Sequence, residues 1–267
     1  MPRRIAGLLA ALFVLLGAAP HAAAQDLKER KIGIVLIHGK WGAPDDRHLY
    51  RISHALQSAG VMLETPIMPW SRHRNYDVGY DDALKEIDQA VAKFKANGAQ
   101  RIVVGGHSFG ANAALAYGAT REGVVGLVAL APGHVPDLGR FRQAMAADVE
   151  RAKGQAAAGK GNEPFEFNDL NQGRREGKRT TASIFLSYFD PESAAAMTRT
   201  ASRLKPGTAL LWVIGENDSL FATGKGAIYD QAPAHPKNRY ASVPGGHLDT
   251  PSEGVWIVLE WLKAITD

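Results

Sequence analysis

The chain contains no cysteine. That excludes a disulfide framework, a thiolate metal site and a cysteine nucleophile together. Charge of one sign is also scarce: 31 Lys and Arg stand against 27 Asp and Glu, a formal net charge of +4. No long basic stripe is present, so nucleic acid is not an expected partner. His48, His54 and His73 lack paired ligand spacing, and Asp45-Asp46 reads as charge at a helix start, so no metal site is expected. Internal repeats are absent too. What is there is ordinary globular usage, 45% hydrophobic and 22% charged over 267 residues. That suits one or two domains with a sizeable core.

The first 24 residues read as a leader, not as fold. Arg3 and Arg4 precede an apolar run from Ile5 to Ala19, Pro20 breaks it, and Ala22-Ala23-Ala24 offers small residues for cleavage before Gln25. The run is shorter than the ~20 apolar residues a bilayer span takes. The sequence therefore predicts a signal peptide over 1–24, export to the periplasm or medium, and no stable membrane span after its removal. Cleavage takes away two arginines and no acid, leaving a mature chain at +2.

From Ile32 onward two periods alternate. IGIVLI at Ile32 to Ile37 is a buried strand by pattern, and Asp45 to Ala59 a helix with Leu49, Ile52 and Leu56 on one face. Val61 to Ile67 is extended. Asp81 to Ala96 is helical, with Leu84, Ile87, Val91 and Phe94 recurring every three or four residues. A strand at Arg101 to Gly105, a helix at Phe109 to Gly118 and strands at Val124 to Ala131, Leu210 to Ile214 and Arg239 to Val243 follow. Thr250-Pro251-Ser252-Glu253 has the form of a capping box opening a last helix through Trp256, Leu259 and Leu262. Such alternation predicts an α/β fold with a parallel sheet and helices on both faces.

Residues 134–206 break the pattern. They are rich in charge, hold a soft GQAAAGKG segment at Gly154 to Gly161, and contain no recognisable buried strand. Phe165, Phe167, Phe185, Leu186, Tyr188 and Phe189 give them something to bury, so a partly helical cap inserted into the domain at 25–267 is expected.

Chemistry concentrates at Gly106-His107-Ser108-Phe109-Gly110, a G-x-S-x-G set where the strand Ile102-Val103-Val104 meets a helix of small residues. A serine on so sharp a turn needs neighbours without side chains, and the turn lifts its hydroxyl above the sheet. The hydroxyl needs a base. Of nine histidines, His247 is best placed, in a Pro-Gly-Gly-His turn after the last strand. Asp218, in Gly215-Glu216-Asn217-Asp218 after the strand at Leu210 to Ile214, is the group to orient it. Asp190 also follows an apolar run, Ser183 to Ser187, but Pro191 after it looks like a helix start, which makes Asp190 an N-cap. An oxyanion hole would take the N–H of Phe109 and one from the loop His38-Gly39-Lys40-Trp41-Gly42, with Lys40 preferred over Trp41. His38 and His107 are expected to shape the loop and pack. Trp41, Trp70, Tyr80, Phe109 and Tyr188 are candidate lining residues.

The set Ile34 to Gly39, Gly106 to Gly110, Gly215 to Asp218 and Gly246-His247, in the order serine, acid, histidine, resembles the α/β-hydrolase superfamily. The resemblance runs from Ile32 to the C-terminus apart from the insert. It is most similar to serine esterases, lipases and the dienelactone-hydrolase-like branch, although serine stands at 108 where dienelactone hydrolases carry cysteine. The resemblance implies a sheet of six to eight strands, trimmed to six because few strands precede Ile32. It further implies a Ser-Asp-His triad, no cofactor, and a small-molecule or lipid-like ester as substrate. Thioesterase, peptidase or acyltransferase chemistry on the same triad, or a binding protein on the same fold, are the alternatives.

Overall fold

The computed structural model describes residues 27–267. The leader expected at 1–24 lies outside them. Six strands form one sheet: β1 (Ile32–Ile37), β2 (Met62–Glu64), β3 (Arg101–His107), β4 (Gly126–Leu130), β7 (Ala209–Gly215) and β8 (Arg239–Val243). Their order is β2-β1-β3-β4-β7-β8, and every pairing is parallel. β1, β4 and β7 are buried along their whole length, as strands covered on both faces must be.

The two-residue period sorts each strand between two cores. Ile32, Ile34, Leu36, Val103, Val128, Leu211 and Val213 face one side, where α1 (Arg47–Ser58) and the C-terminal helix α9 (Val255–Thr266) cover them. Val35, Ile37, Val104, Ala129, Trp212 and Ile214 face the other, under α2 (Tyr80–Ala96) and α3 (Phe109–Thr120). The helix expected at Asp45 to Ala59 is thus α1, and Leu49, Ile52 and Leu56 are its buried face. Asp46 is its N-cap residue, and the Asp46 carboxylate accepts from the Ala43 N–H at 3.0 Å.

Between β4 and β7 the chain builds α4 (Gly139–Ala157), β5 (Pro164–Asn171), β6 (Arg174–Thr181), α5 (Ala182–Phe189) and α6 (Met197–Ala201). Two expectations fail here. The segment does hold a strand with a buried face: β5 and β6 form an antiparallel hairpin. Gln172 and Gly173, both at positive φ, make its turn. The inward face of β5 reads Phe165, Phe167, Asp169, and a charge in the third place hides the alternation. No helix starts at Pro191 either; Asp190 instead closes α5 and accepts from the Glu192 N–H at 2.9 Å. The soft Gly154 segment begins as the last turn of α4.

The C-terminal capping box is likewise not formed. After α7 (Phe221–Ala227), Asp249 is the N-cap of a four-residue helix α8 (Thr250–Glu253), and the Thr250 hydroxyl donates to the carbonyl of Gly246 at 3.0 Å. α9 restarts at Gly254, where a Cβ would lie 2.9 Å from Thr250 O and 3.2 Å from a methyl of Val213. Val255, Val258, Trp261 and Leu262 are the buried face of α9, while Trp256 is 59% exposed.

Among the described glycines, the tightest approach lies at the end of β3. A Cβ on Gly110 would stand 2.2 Å from the Ile37 carbonyl oxygen, and one on Gly106 2.4 Å from the carbonyl carbon of Gly110. Gly154, inside α4, faces open space. Gly110→Ala is therefore expected to cost about 3 kcal/mol in urea unfolding. Gly154→Ala is expected to add about 0.5–1 kcal/mol by helix propensity. The reverse ranking would contradict the packing described.

Candidate active site

β3 runs straight into Ser108, which stands at φ 57° and ψ −117°, a conformation costly for any residue with a side chain. The surroundings hold it there. Its N–H donates to Leu130 O at 3.0 Å, and its carbonyl accepts from Gly133 N at 3.0 Å and Ala111 N at 3.1 Å. α3 starts at Phe109, and its first ten residues, largely Ala and Gly, are all buried.

Two further loops meet above the carboxyl ends of β7 and β8. Gly215 is the reason they can: a Cβ there would lie 2.7 Å from the carbonyl oxygens of both Gly245 and Gly246. The Asn217 N–H donates to Gly245 O at 2.9 Å, tying one loop to the other. Asp218 and His247 consequently pair, with the Nδ1 of His247 2.6 Å from the Asp218 carboxylate. The Asp218 side chain is 1% exposed, and its other oxygen accepts from the Leu220 N–H at 2.8 Å. The outer nitrogen of His247, Nε2, is buried and has no hydrogen-bond partner among the described residues. A Cβ placed on Gly133 would lie 2.8 Å from Ser108 Oγ and 3.5 Å from His247 Cε1, so hydroxyl and imidazole flank the same point. Asp190 takes no part; its carboxylate faces Lys153 at 3.2 Å.

His107 and His38 carry the loops. The Nε2–H of His107 donates to the carbonyl of His247 at 3.0 Å, and its Nδ1 meets His48 Nε2 at 3.1 Å. Burial, with His247 beside it, holds the His107 pKa well below the ordinary histidine value, which keeps the ring neutral. His38 accepts from the Met68 N–H at 3.0 Å, and burial lowers its pKa as well.

Of the three backbone donors expected at an oxyanion hole, one is already taken. The Trp41 N–H donates to Trp70 O at 2.8 Å. The N–H of Lys40 has no acceptor among the described residues, and that of Phe109, at the first position of α3, has none within its helix.

The lining residues expected from the sequence are corrected throughout. Trp70, Tyr80, Phe109 and Tyr188 lie at 1% exposure or less and form an aromatic core in which Phe109 stacks on Trp70 with ring centres 4.5 Å apart. Trp41 is half-buried and spends its indole N–H on Asp169. The cavity over Ser108 and His247 measures about 860 Å³, and its apolar wall is Pro132, Val135, Leu138, Phe141, Leu170 and Leu220. Five of these belong to the stretch between β4 and β7 whose elements sequence periodicity missed. Its hairpin turn, Gln172-Gly173, was the available signal. No group of three or more His, Cys, Asp or Glu among the described residues is arranged to hold a metal.

A family model described as "Alpha/beta hydrolase family" matches residues 34–256. No curated protein matches the chain. Among solved structures, a monoacylglycerol lipase of Paleococcus ferrophilus is similar at 19% identity and TM-score 0.63, covering 87% of this chain and 94% of its own. The siderophore hydrolase EstB of Aspergillus fumigatus is similar at 16% identity and TM-score 0.61, covering 88% and 91%. Est1E of Butyrivibrio proteoclasticus is similar at 17% identity and TM-score 0.55, covering 88% and 87%.

The pairing geometry separates the two candidate acids. Asp218→Asn is expected to cut turnover of an ester about 10⁴-fold, because an amide cannot hold the imidazole in the required tautomer. Asp190→Asn should leave turnover within about twofold, since Asp190 lies outside the cavity and an asparagine side-chain oxygen can still accept from the Glu192 N–H. Steady-state kinetics of the two purified variants checks this, and the opposite ranking transfers the role to Asp190.

Proposed function

The chain belongs to the alpha/beta hydrolase family, and from that premise we propose that it is an exported serine hydrolase that cleaves a carboxylic ester. One observation carries the proposal: Ser108, on its strained turn, shares a cavity with an imidazole whose far side is bound to a buried carboxylate.

In this reading Ser108 Oγ attacks the ester carbonyl carbon while His247 Nε2 takes its proton. Asp218 keeps the other imidazole proton on Nδ1 and stabilises the imidazolium that forms. Negative charge develops on the carbonyl oxygen, and the N–H groups of Phe109 and Lys40 receive it; each such donor is worth about 3 kcal/mol. The tetrahedral intermediate collapses, His247 returns its proton to the departing alkoxide, and the alcohol leaves. Water, deprotonated by the same imidazole, then attacks the acyl-enzyme and releases the acid.

The substrate class follows from the cavity. Its mainly apolar wall suits an aliphatic or aryl group on the ester, while Arg140, Asn171, Gln172, Ser219 and Thr223 form the polar part of the lining. The solved structures similar to this chain include a monoacylglycerol lipase and Est1E with ferulic acid bound, which supports an ester over other acyl bonds. Export rests on the leader at 1–24. Among the described residues no helix is long and apolar enough to cross a membrane.

A fluorophosphonate probe is expected to label the purified protein at Ser108 and to leave Ser108→Ala unlabelled. In the same variant, hydrolysis of a p-nitrophenyl ester should fall by roughly 10⁴- to 10⁶-fold. Labelling that survives the substitution, or a wild type that is never labelled, contradicts the proposal. Faster turnover of a matched thioester or amide would reassign the bond cleaved.

A further inference from the structure

Asp169, near the end of β5, is wholly buried. Its carboxylate accepts four hydrogen bonds. One oxygen takes the Lys40 ammonium at 2.6 Å and the Leu170 N–H at 2.8 Å; the other takes the Trp41 indole N–H at 2.9 Å and the Tyr76 hydroxyl at 2.6 Å. The Lys40 ammonium, with its side chain 3% exposed, also donates to Leu170 O at 3.0 Å. The Asn171 amide donates to Lys40 O at 3.1 Å. Three consecutive residues of the hairpin thus grip two consecutive residues of the loop after β1. That loop has no regular structure, and Trp41 within it stands at φ 56°.

A bridge of this kind is a poor device for stability alone. Burying two charges costs nearly as much as their attraction returns, and apolar replacements are often as stable. What it supplies is a fixed geometry. An oxyanion donor works only when it is already aimed at the position the charge will occupy, within a few tenths of an ångström. Lys40 and Trp41 are joined by one peptide bond, and every bond to Asp169, Leu170 and Asn171 restricts how that unit can turn. The second donor, Phe109, needs no such help, because a helix aims it.

We propose that Asp169 is a positioning residue: acting through Lys40 and Trp41, it holds the Lys40 N–H where the oxyanion forms. The segment between β4 and β7 then completes the catalytic apparatus as well as walling the cavity. The inference rests on the serine-hydrolase reading above.

The test is the double variant Lys40→Met/Asp169→Asn, which removes both charges together, leaves no buried ion unpaired, and keeps the backbone N–H at position 40. Two quantities are read on the full chain: kcat and KM for p-nitrophenyl butyrate, and the inhibition constant of a trifluoromethyl ketone, whose adduct carries the oxyanion. A folded variant by circular dichroism is expected to lose about 10- to 100-fold in kcat, and the same factor in affinity for the ketone. KM should stay within about threefold. Tyr76→Phe deletes one bond to Asp169 without touching the cavity, so it serves if the double variant does not fold; kcat should drop about threefold at constant KM. Wild-type kcat in either folded variant overturns the inference, as does a loss of kcat with unchanged affinity for the ketone. A wild type that neither cleaves the ester nor takes the fluorophosphonate overturns the functional reading and this inference together. An active wild type beside an equally active variant overturns the positioning role alone.

Discussion

Helix α3 leaves the end of β3 so close to β1 that the Ile37 carbonyl oxygen would touch any side chain on Gly110. That contact sets the geometry of the site. It goes with α3 beginning immediately after Ser108, which stands at positive φ, and leaves the N–H of Phe109 at the first position of the helix. It also fixes the loop after β1: a Cβ on Gly39 would sit 3.0 Å from the Cβ of Ser108. The strained serine is stable because flanking strands and loops hold its backbone, not because the serine itself favours the turn.

The other members of the site arrive through contacts of the same kind. Gly215 lets the loops after β7 and β8 cross without side-chain interference, and the Asp218–His247 pair follows from that crossing. His107, next to Ser108 in the chain, reaches across to the carbonyl of His247 and registers the histidine loop against the serine turn. Its imidazole stays neutral because burial disfavours the charged form, so it can serve as donor at one nitrogen and acceptor at the other. The hairpin adds the last tie, from Asp169 to the loop after β1.

How much of this can be read without coordinates depends on distance along the chain. β1 has the boundaries that its residue pattern indicates, because a buried parallel strand is a local apolar run; β8 does as well, although RYASV is a half-buried edge strand. Ser108, Asp218 and His247 are legible for a related reason: each sits in a short turn directly after such a run. The hairpin β5–β6 is not legible by hydrophobic pattern. RREGKRTT has no apolar face, and the inward residue that would complete β5 is Asp169, whose partner Lys40 lies 129 positions earlier. Trp256 misleads similarly: it belongs to the expected apolar face but is 59% exposed, and the buried face of α9 is Val255, Val258, Trp261 and Leu262. The aromatic residues near strand ends are core because they stack on one another, and what reaches the cavity instead is Pro132, Val135, Leu138, Phe141 and Leu170 from the segment between β4 and β7.

Under the proposed function, one cavity holds a serine nucleophile, its base and two backbone donors in a single preorganised arrangement. A crystal structure of the protein inactivated by a fluorophosphonate tests it most directly. The account predicts phosphorus bonded to Ser108 Oγ, with the phosphoryl oxygen within about 2.7–3.1 Å of both the Phe109 and the Lys40 nitrogens. It is contradicted by an adduct on another residue, or by a phosphoryl oxygen that turns away from those two N–H groups.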